Sequence, residues 1–243
     1  MLFLRSLVAP LCRDDIFGKK CCCGSTSILL LKKQSIHTKK TGEYPSVGLF
    51  FTIFAKNNKQ PMITLTRITA PDSEAYRFTE ELLTATFPRD EYRDLDEQRA
   101  NVALKENFHL MLACHNNAPV GFVSYWELGE MCYIEHLATL PSVRGKGHGK
   151  AIIEAIQKVA ENIVLEVEEP TDETTTRRIG FYRRAGFSLC EIPYTQPPYR
   201  KGGNTLPMLL MFCGQECSRE NYEKAKKAIY SNIYNYKEQE IWQ

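Results

Sequence analysis

Three glycines at alternate positions, Gly145, Gly147 and Gly149, stand in the run Leu137-Ala-Thr-Leu-Pro-Ser-Val-Arg-Gly-Lys-Gly-His-Gly-Lys-Ala-Ile-Ile153, where a strand-like segment gives way to a helical one. That spacing aims successive backbone N–H groups outward at a helix start, where an anion is favoured. Residues without Cβ let the backbone approach a phosphate closely, and Arg144 and Lys146 add positive charge. The chemistry implied is the cradling of a pyrophosphate. Two other phosphate loops fail the test of spacing. A Walker A loop ending at Gly149-Lys150 needs Gly at 144 and Ser or Thr at 151, which are Arg144 and Ala151. A dinucleotide fingerprint needs a glycine at 150 or 152, which are Lys150 and Ile152.

About thirty residues on stands Phe181-Tyr-Arg-Arg-Ala-Gly-Phe187. With Arg-x-x-Gly-x-Gly at Arg144, Gly147 and Gly149, it resembles the two hallmarks of the GNAT superfamily, the acetyl-CoA-dependent N-acetyltransferases, over residues 62–212. The runs at Glu135-His136, Leu165-Glu-Val-Glu168 and Gln196-Pro-Pro-Tyr199 look like a bacterial-type subgroup. The resemblance implies an α/β (α+β) fold whose mostly antiparallel sheet of about seven strands splays at the cofactor site. It implies acetyl-CoA as donor and no metal. Leu137, Ala138 and Thr139 would lie beside the pantetheine arm and thioester. Arg144, Gly145, Lys146, Gly147, His148, Gly149 and Lys150 would surround the pyrophosphate, with His148 as a phosphate neighbour or solvated. Tyr182 matches the position that protonates the departing thiolate. Glu135, on the strand before the motif, is the expected base, and strand alternation turns His136 to the opposite face. Thr175 and Arg178 depart from the family's usual Asn and Ala, so that helix is expected to make different cofactor contacts.

On the acceptor side, alternation along Ile163-Val-Leu-Glu-Val-Glu168 puts Glu166 and Glu168 on one strand face, a pair of carboxylates suited to a cationic amine. The run Tyr194 to Gly203 reads as a long Pro/Gly loop whose Tyr194 and Tyr199 shape the acceptor site. The expected reaction is direct attack of a primary amine, of a small cationic molecule, in a ternary complex. A protein or peptide N-acetyltransferase and a non-catalytic acetyl-CoA-binding module are the alternatives.

Periodicity supplies the elements that must position these groups. A strand is predicted over Met62–Ile68, then a helix from Glu74 to Thr86 behind Ser73 and stopped by Pro88. After the charged loop Arg89–Arg93, a second helix spans Asp96–Glu106 with Ala100, Val102, Ala103 and Leu104 inward. Strands at Phe108–His115, Val120–Leu128 and Met131–Leu140 form a meander. A helix (Lys150–Ala160), a strand (Ile163–Glu168), a helix (Glu173–Arg184) and strands at Phe187–Ile192 and Leu206–Phe212 follow. A helical extension occupies 213–243, over Ser218–Tyr236.

The net charge of +2 over 243 residues conceals an asymmetry. Residues 1–61 carry ten Lys and Arg against three Asp and Glu, while 62–243 carry twenty-one against twenty-six. An acidic catalytic part lacks the basic face of a nucleic-acid binder. The nine cysteines show no regular spacing, so the folded part is expected to be reduced and cytoplasmic. No apolar run approaches the ~20 residues of a spanning helix. Met62 is expected to be the true start, with 1–61 a basic extension; a targeting segment is the alternative. A homodimer is compatible with this organisation.

Overall fold

The computed structural model describes residues 61–236; the expected basic extension, except Pro61, lies outside them. In chain order the elements are β1 (Thr64–Ile68), α1 (Glu74–Thr86), α2 (Leu95–Leu104), β2 (Phe108–His115), β3 (Ala118–Leu128), β4 (Met131–Thr139), α3 (His148–Ile156), β5 (Asn162–Glu168), α4 (Glu173–Arg184), β6 (Ser188–Leu189), β7 (Tyr194–Gln196), β8 (Leu206–Cys213) and α5 (Arg219–Asn232). Single 3-10 turns at Arg89–Glu91 and Pro141–Val143 introduce α2 and the glycine loop.

The strands form one sheet in the order β1-β2-β3-β4-β5-β8-β6, with β7 also on β8. Every pairing is antiparallel except β4 with β5. On one face Tyr76, Leu82 and Leu83 of α1, Val102 of α2 and Tyr222, Ala225 and Ile229 of α5 pack against Phe108, Phe122, Tyr133 and Val164. On the other, Ile152, Ile153 and Ile156 of α3 and Ile179 of α4 meet Val123, Ile134, Ile163 and Leu165. This is the mixed α/β layering the alternation and helical periodicity require.

Local chemistry sets the element ends. The Ser73 hydroxyl accepts from the Tyr76 N–H at 3.2 Å and caps α1. At α4, Asp172 and Thr175 cap each other reciprocally, so the Thr175 that departs from the family pattern stabilises the helix start. The other end explains the second motif. Gly186 adopts φ +91°, its N–H reaches Arg183 O at 3.0 Å, and the Phe187 N–H reaches Tyr182 O at 3.0 Å. That is a Schellman ending, in which glycine supplies the left-handed residue and Phe187 packs on Tyr182 with ring centroids 5.6 Å apart.

Several expectations are corrected. The strand expected at Phe187–Ile192 shrinks to Ser188–Leu189, and the loop expected from Tyr194 begins as β7. In α2 the buried residues are Gln98, Asn101 and Val102, while Ala100, Ala103 and Leu104 are exposed. The inward face there is polar because Gln98 partners a buried arginine. The cysteines are not all thiols: a disulfide joins Cys190 to Cys217, with Cα atoms 5.4 Å apart across 27 residues of sequence. Its partners meet only through the tertiary fold, which spacing does not reveal. No described helix is long and apolar enough to cross a membrane.

Candidate active site

The site begins where two strands part. β4 and β5 pair from Met131↔Asn162 to Ile134↔Leu165 and no further. Beyond that point β4 continues to Thr139 and β5 to Glu168, so their facing backbone groups are left without each other. The Glu135 side chain has no exposed surface, yet the residue as a whole is only half-buried. Its accessible part is therefore main chain. Leu137 and Thr139 are half-buried and Ala138 is buried, on the edge of β4 that β5 no longer pairs. Unpaired N–H and C=O groups of this kind suit an extended amide-bearing chain.

A second feature of β4 is a bulge. Ser124 pairs with His136 and Tyr125 with Ile134, so Glu135 is skipped in the register. An inserted residue breaks the two-residue alternation. His136 therefore does not turn to the opposite face. It lies on the same side as Glu135, with Nδ1 3.9 Å from Glu135 Oε2, and its Nε2 donates to Glu91 O at 2.9 Å. Burial, the largest influence, holds its pKa below the ordinary value, so the ring is neutral.

The glycine loop lies at the C-terminal end of β4. Gly147, with φ +86°, is the residue preceding α3, and a side chain there would be strained. The first helical bond shown is Ala151 N–H to Gly147 O at 3.0 Å, which leaves the N–H groups of His148, Gly149 and Lys150 as start-of-helix donors. Arg144, Lys146 and Lys150 are exposed around them. This is a cationic N-terminal anion site that fits a pyrophosphate. His148 is the exception. It is buried, 5.1 Å from the His115 ring, and neither ring nitrogen has a partner. It packs inward and is not solvated, because the first helical position faces the sheet.

Tyr182 is buried in α4 against Phe181 and Phe187. Burial pushes its pKa up to about 12, with Arg178 pulling weakly the other way. A phenol so shifted stays protonated at neutral pH and remains available as an acid.

Arg93, which sequence reasoning assigned to a charged loop, is almost wholly buried. Its Nη2 meets Glu135 Oε1 at 2.5 Å and its Nη1 meets Oε2 at 3.3 Å. Trp126 Nε1 and the Tyr199 hydroxyl also donate to Glu135, at 2.9 and 3.0 Å. Burial alone would raise the Glu135 carboxyl, but the Arg93 guanidinium, helped by the hydrogen bonds from Trp126 and Tyr199, holds it below the ordinary value.

Glu166 is arranged differently. It is the first residue of β5 past the last pair with β4. Tyr194 donates to Oε1 at 2.5 Å, and Tyr133 and Tyr234 donate to Oε2 at 3.0 and 2.8 Å. Burial outweighs these donors and, with Glu135 nearby, raises its pKa to about 7. Glu168 does not join it; that carboxylate pairs with Arg178 at the surface. The loop after β7 is tied down as well, because Arg200 donates to Arg89 O, to Tyr92 O at 2.7 Å and to Asp94 at 3.0 Å. Sequence reasoning missed Arg93, Trp126, Tyr133 and Tyr234. Tyr133 was open to it, two residues before Glu135 on one strand face, but Tyr234 meets Glu166 across 68 residues with no local signal.

Among the described residues no group of three His, Cys, Asp or Glu side chains is placed to hold a metal ion. The model of the Acetyltransferase (GNAT) family matches residues 73–187. A solved structure from Bacteroides thetaiotaomicron, described as a GNAT-family acetyltransferase, is 40% identical and superposes with a TM-score of 0.69, covering 72% of this chain and 99% of that one. The Bacillus subtilis (strain 168) protein YjbC, described as an acetyltransferase, is 29% identical over 117 residues, which is 46% of this chain. That match spans 60% of the length of YjbC. With the splayed strands, the glycine loop and the Tyr182 helix ending in place, the chain belongs to the GNAT family of acetyltransferases.

Proposed function

We propose that this protein transfers the acetyl group of acetyl-CoA to the primary amine of a small cationic molecule, by direct attack within a ternary complex. The observation that carries the reading is the parting of β4 and β5 after Ile134↔Leu165, with the glycine loop at one end of the opening and Tyr182 on α4. In this reading the main chain of Leu137, Ala138 and Thr139 lies along the pantetheine arm. The N–H groups of α3, with Arg144, Lys146 and Lys150, hold the pyrophosphate. Tyr182 gives its proton to the departing thiolate.

The preference for a cation rests on Glu166 and the tyrosines around it. Tyr199 and Tyr234 rings lie 4.9 Å apart, and Tyr133 and Tyr194 close the same carboxylate. Aromatic faces beside a carboxylate favour an ammonium group. Glu135 is spent on Arg93 and organises the wall of the site, while Glu168 with Arg178 lies at its rim. Free-thiol release from acetyl-CoA over a panel of amines and amino-terminal peptides tests this reading. Turnover with small diamines supports it. Turnover confined to peptides, or to neutral or acidic amines, overturns the acceptor assignment, and no amine-dependent release at all overturns the activity.

A further inference from the structure

The amine must lose a proton before it attacks, and the two cleft carboxylates are not equivalent candidates to receive it. Glu135 has both oxygens occupied by Arg93, with Trp126 and Tyr199 completing the set. Protonating it would leave the buried Arg93 charge with only the partly exposed Glu97, 3.8 Å away, as counterion. Glu166 has one donor on Oε1 and two on Oε2, all neutral phenols. A carboxylate oxygen accepts two bonds, so Oε1 retains a lone pair.

Two of those phenols, Tyr194 and Tyr234, come from outside the region the family model matches. Tyr234 follows α5, whose tyrosines fasten the β7 segment: Tyr222 donates to Pro193 O at 2.7 Å and Tyr230 to Thr195 O. Tyr234 itself receives a bond from Gln196 Nε2 at 2.6 Å and passes one to Glu166. We propose that Glu166 takes the proton of the acceptor ammonium, and that Tyr234, supplied by the segment after α5, is a positioning residue for that carboxylate. This inference rests on the acetyl-transfer reading above.

The step balances as follows. Glu166 takes one proton from the ammonium, and the freed lone pair forms the N–C bond to the acetyl carbonyl carbon. The C–S bond breaks and the thiolate takes the Tyr182 proton. The second proton shed by the nitrogen restores the Tyr182 phenol, and Glu166 returns its own to solvent. A carboxylate titrating near 7 is matched to this exchange at neutral pH. The neighbouring tyrosines have pKa values raised first by burial and next by Glu166 or Glu135, so they remain donors throughout.

The test is the pH dependence of kcat/KM on the full chain with 1,5-diaminopentane as acceptor, with acetyl-CoA affinity by calorimetry as the control for folding. Wild type should show an acid limb with its midpoint near 7. Glu166→Gln should lose that limb and drop kcat by about 10²–10⁴-fold at unchanged acetyl-CoA affinity. Tyr234→Phe removes a donor that favours the ionised carboxylate, so its limb should move about one to two pH units upward while activity recovers at high pH. Glu166→Gln retaining wild-type turnover overturns the base assignment, and Tyr234→Phe losing activity equally at every pH overturns the positioning role. Both results presuppose amine turnover by wild type, so they are distinct from failure of acetyl transfer itself, in which no amine releases thiol.

Discussion

Glu135 and Glu166 stand on neighbouring strands of the cleft, but Arg93 holds one ionised while burial among tyrosines raises the other to about 7. The consequence for stability has opposite signs. Glu135, lowered below its ordinary 4.5, contributes stability present above that value and lost as pH falls through the lowered one. Glu166, raised above 4.5, favours the folded state below that value and loses the advantage as pH rises through about 7. Thermal melts at pH 8 should therefore show Glu166→Gln at or above wild type, whereas Arg93→Ala, which leaves Glu135 unpaired, should cost about 3–5 kcal/mol in denaturant unfolding. An Arg93→Ala protein of wild-type stability would mean that the ion pair carries no such weight. For Tyr182→Phe the expected outcome is a kcat lower by about 10²–10⁴-fold with acetyl-CoA affinity preserved; steady-state kinetics beside calorimetry read both.

At the scale of elements, α1 and α4 were legible to the residue because Ser73, Pro88, Asp172 and Gly186 are local stop and start signals. β2 was equally clear from its apolar run. The bulge at Glu135 was not, since it exists only as a register between β3 and β4, and it reversed the expected direction of His136. β7 was hidden for a related reason: three residues between prolines make a strand only because β8 pairs with them and α5 tyrosines hold them. The glycine loop does open a helix as its spacing predicted, while His148 within it turned inward. A side chain at Gly149 would approach the Phe181 ring to 3.4 Å. Gly149→Asp should thus abolish acetyl-CoA binding through its charge, and Gly149→Ala should retain much of it. Calorimetric titration of the two variants separates charge from bulk; equal losses would contradict an electrostatic cradle.

Across the whole molecule, the sheet brings three separate stretches of chain to one cleft: the α1–α2 connection with Arg93, the β4–α3 and β5–α4 units, and the β7–α5 segment with Tyr199 and Tyr234. The second stretch carries local motifs and was readable from sequence. The first and third carry the groups proposed to meet the acceptor and reach the cleft through contacts separated by 42, 64 and 68 residues, for which spacing offers no guide. Whether this cleft acetylates a cationic amine, as proposed, is read out by a one-pot competition. A diamine, an amino alcohol and an amino acid of matched length are mixed with limiting acetyl-CoA and the enzyme, and the acetylated products are counted by mass spectrometry. The proposed acceptor chemistry puts most of the acetyl group on the diamine, with the share falling in Glu166→Gln; acetyl delivered chiefly to the amino alcohol or the amino acid would contradict it.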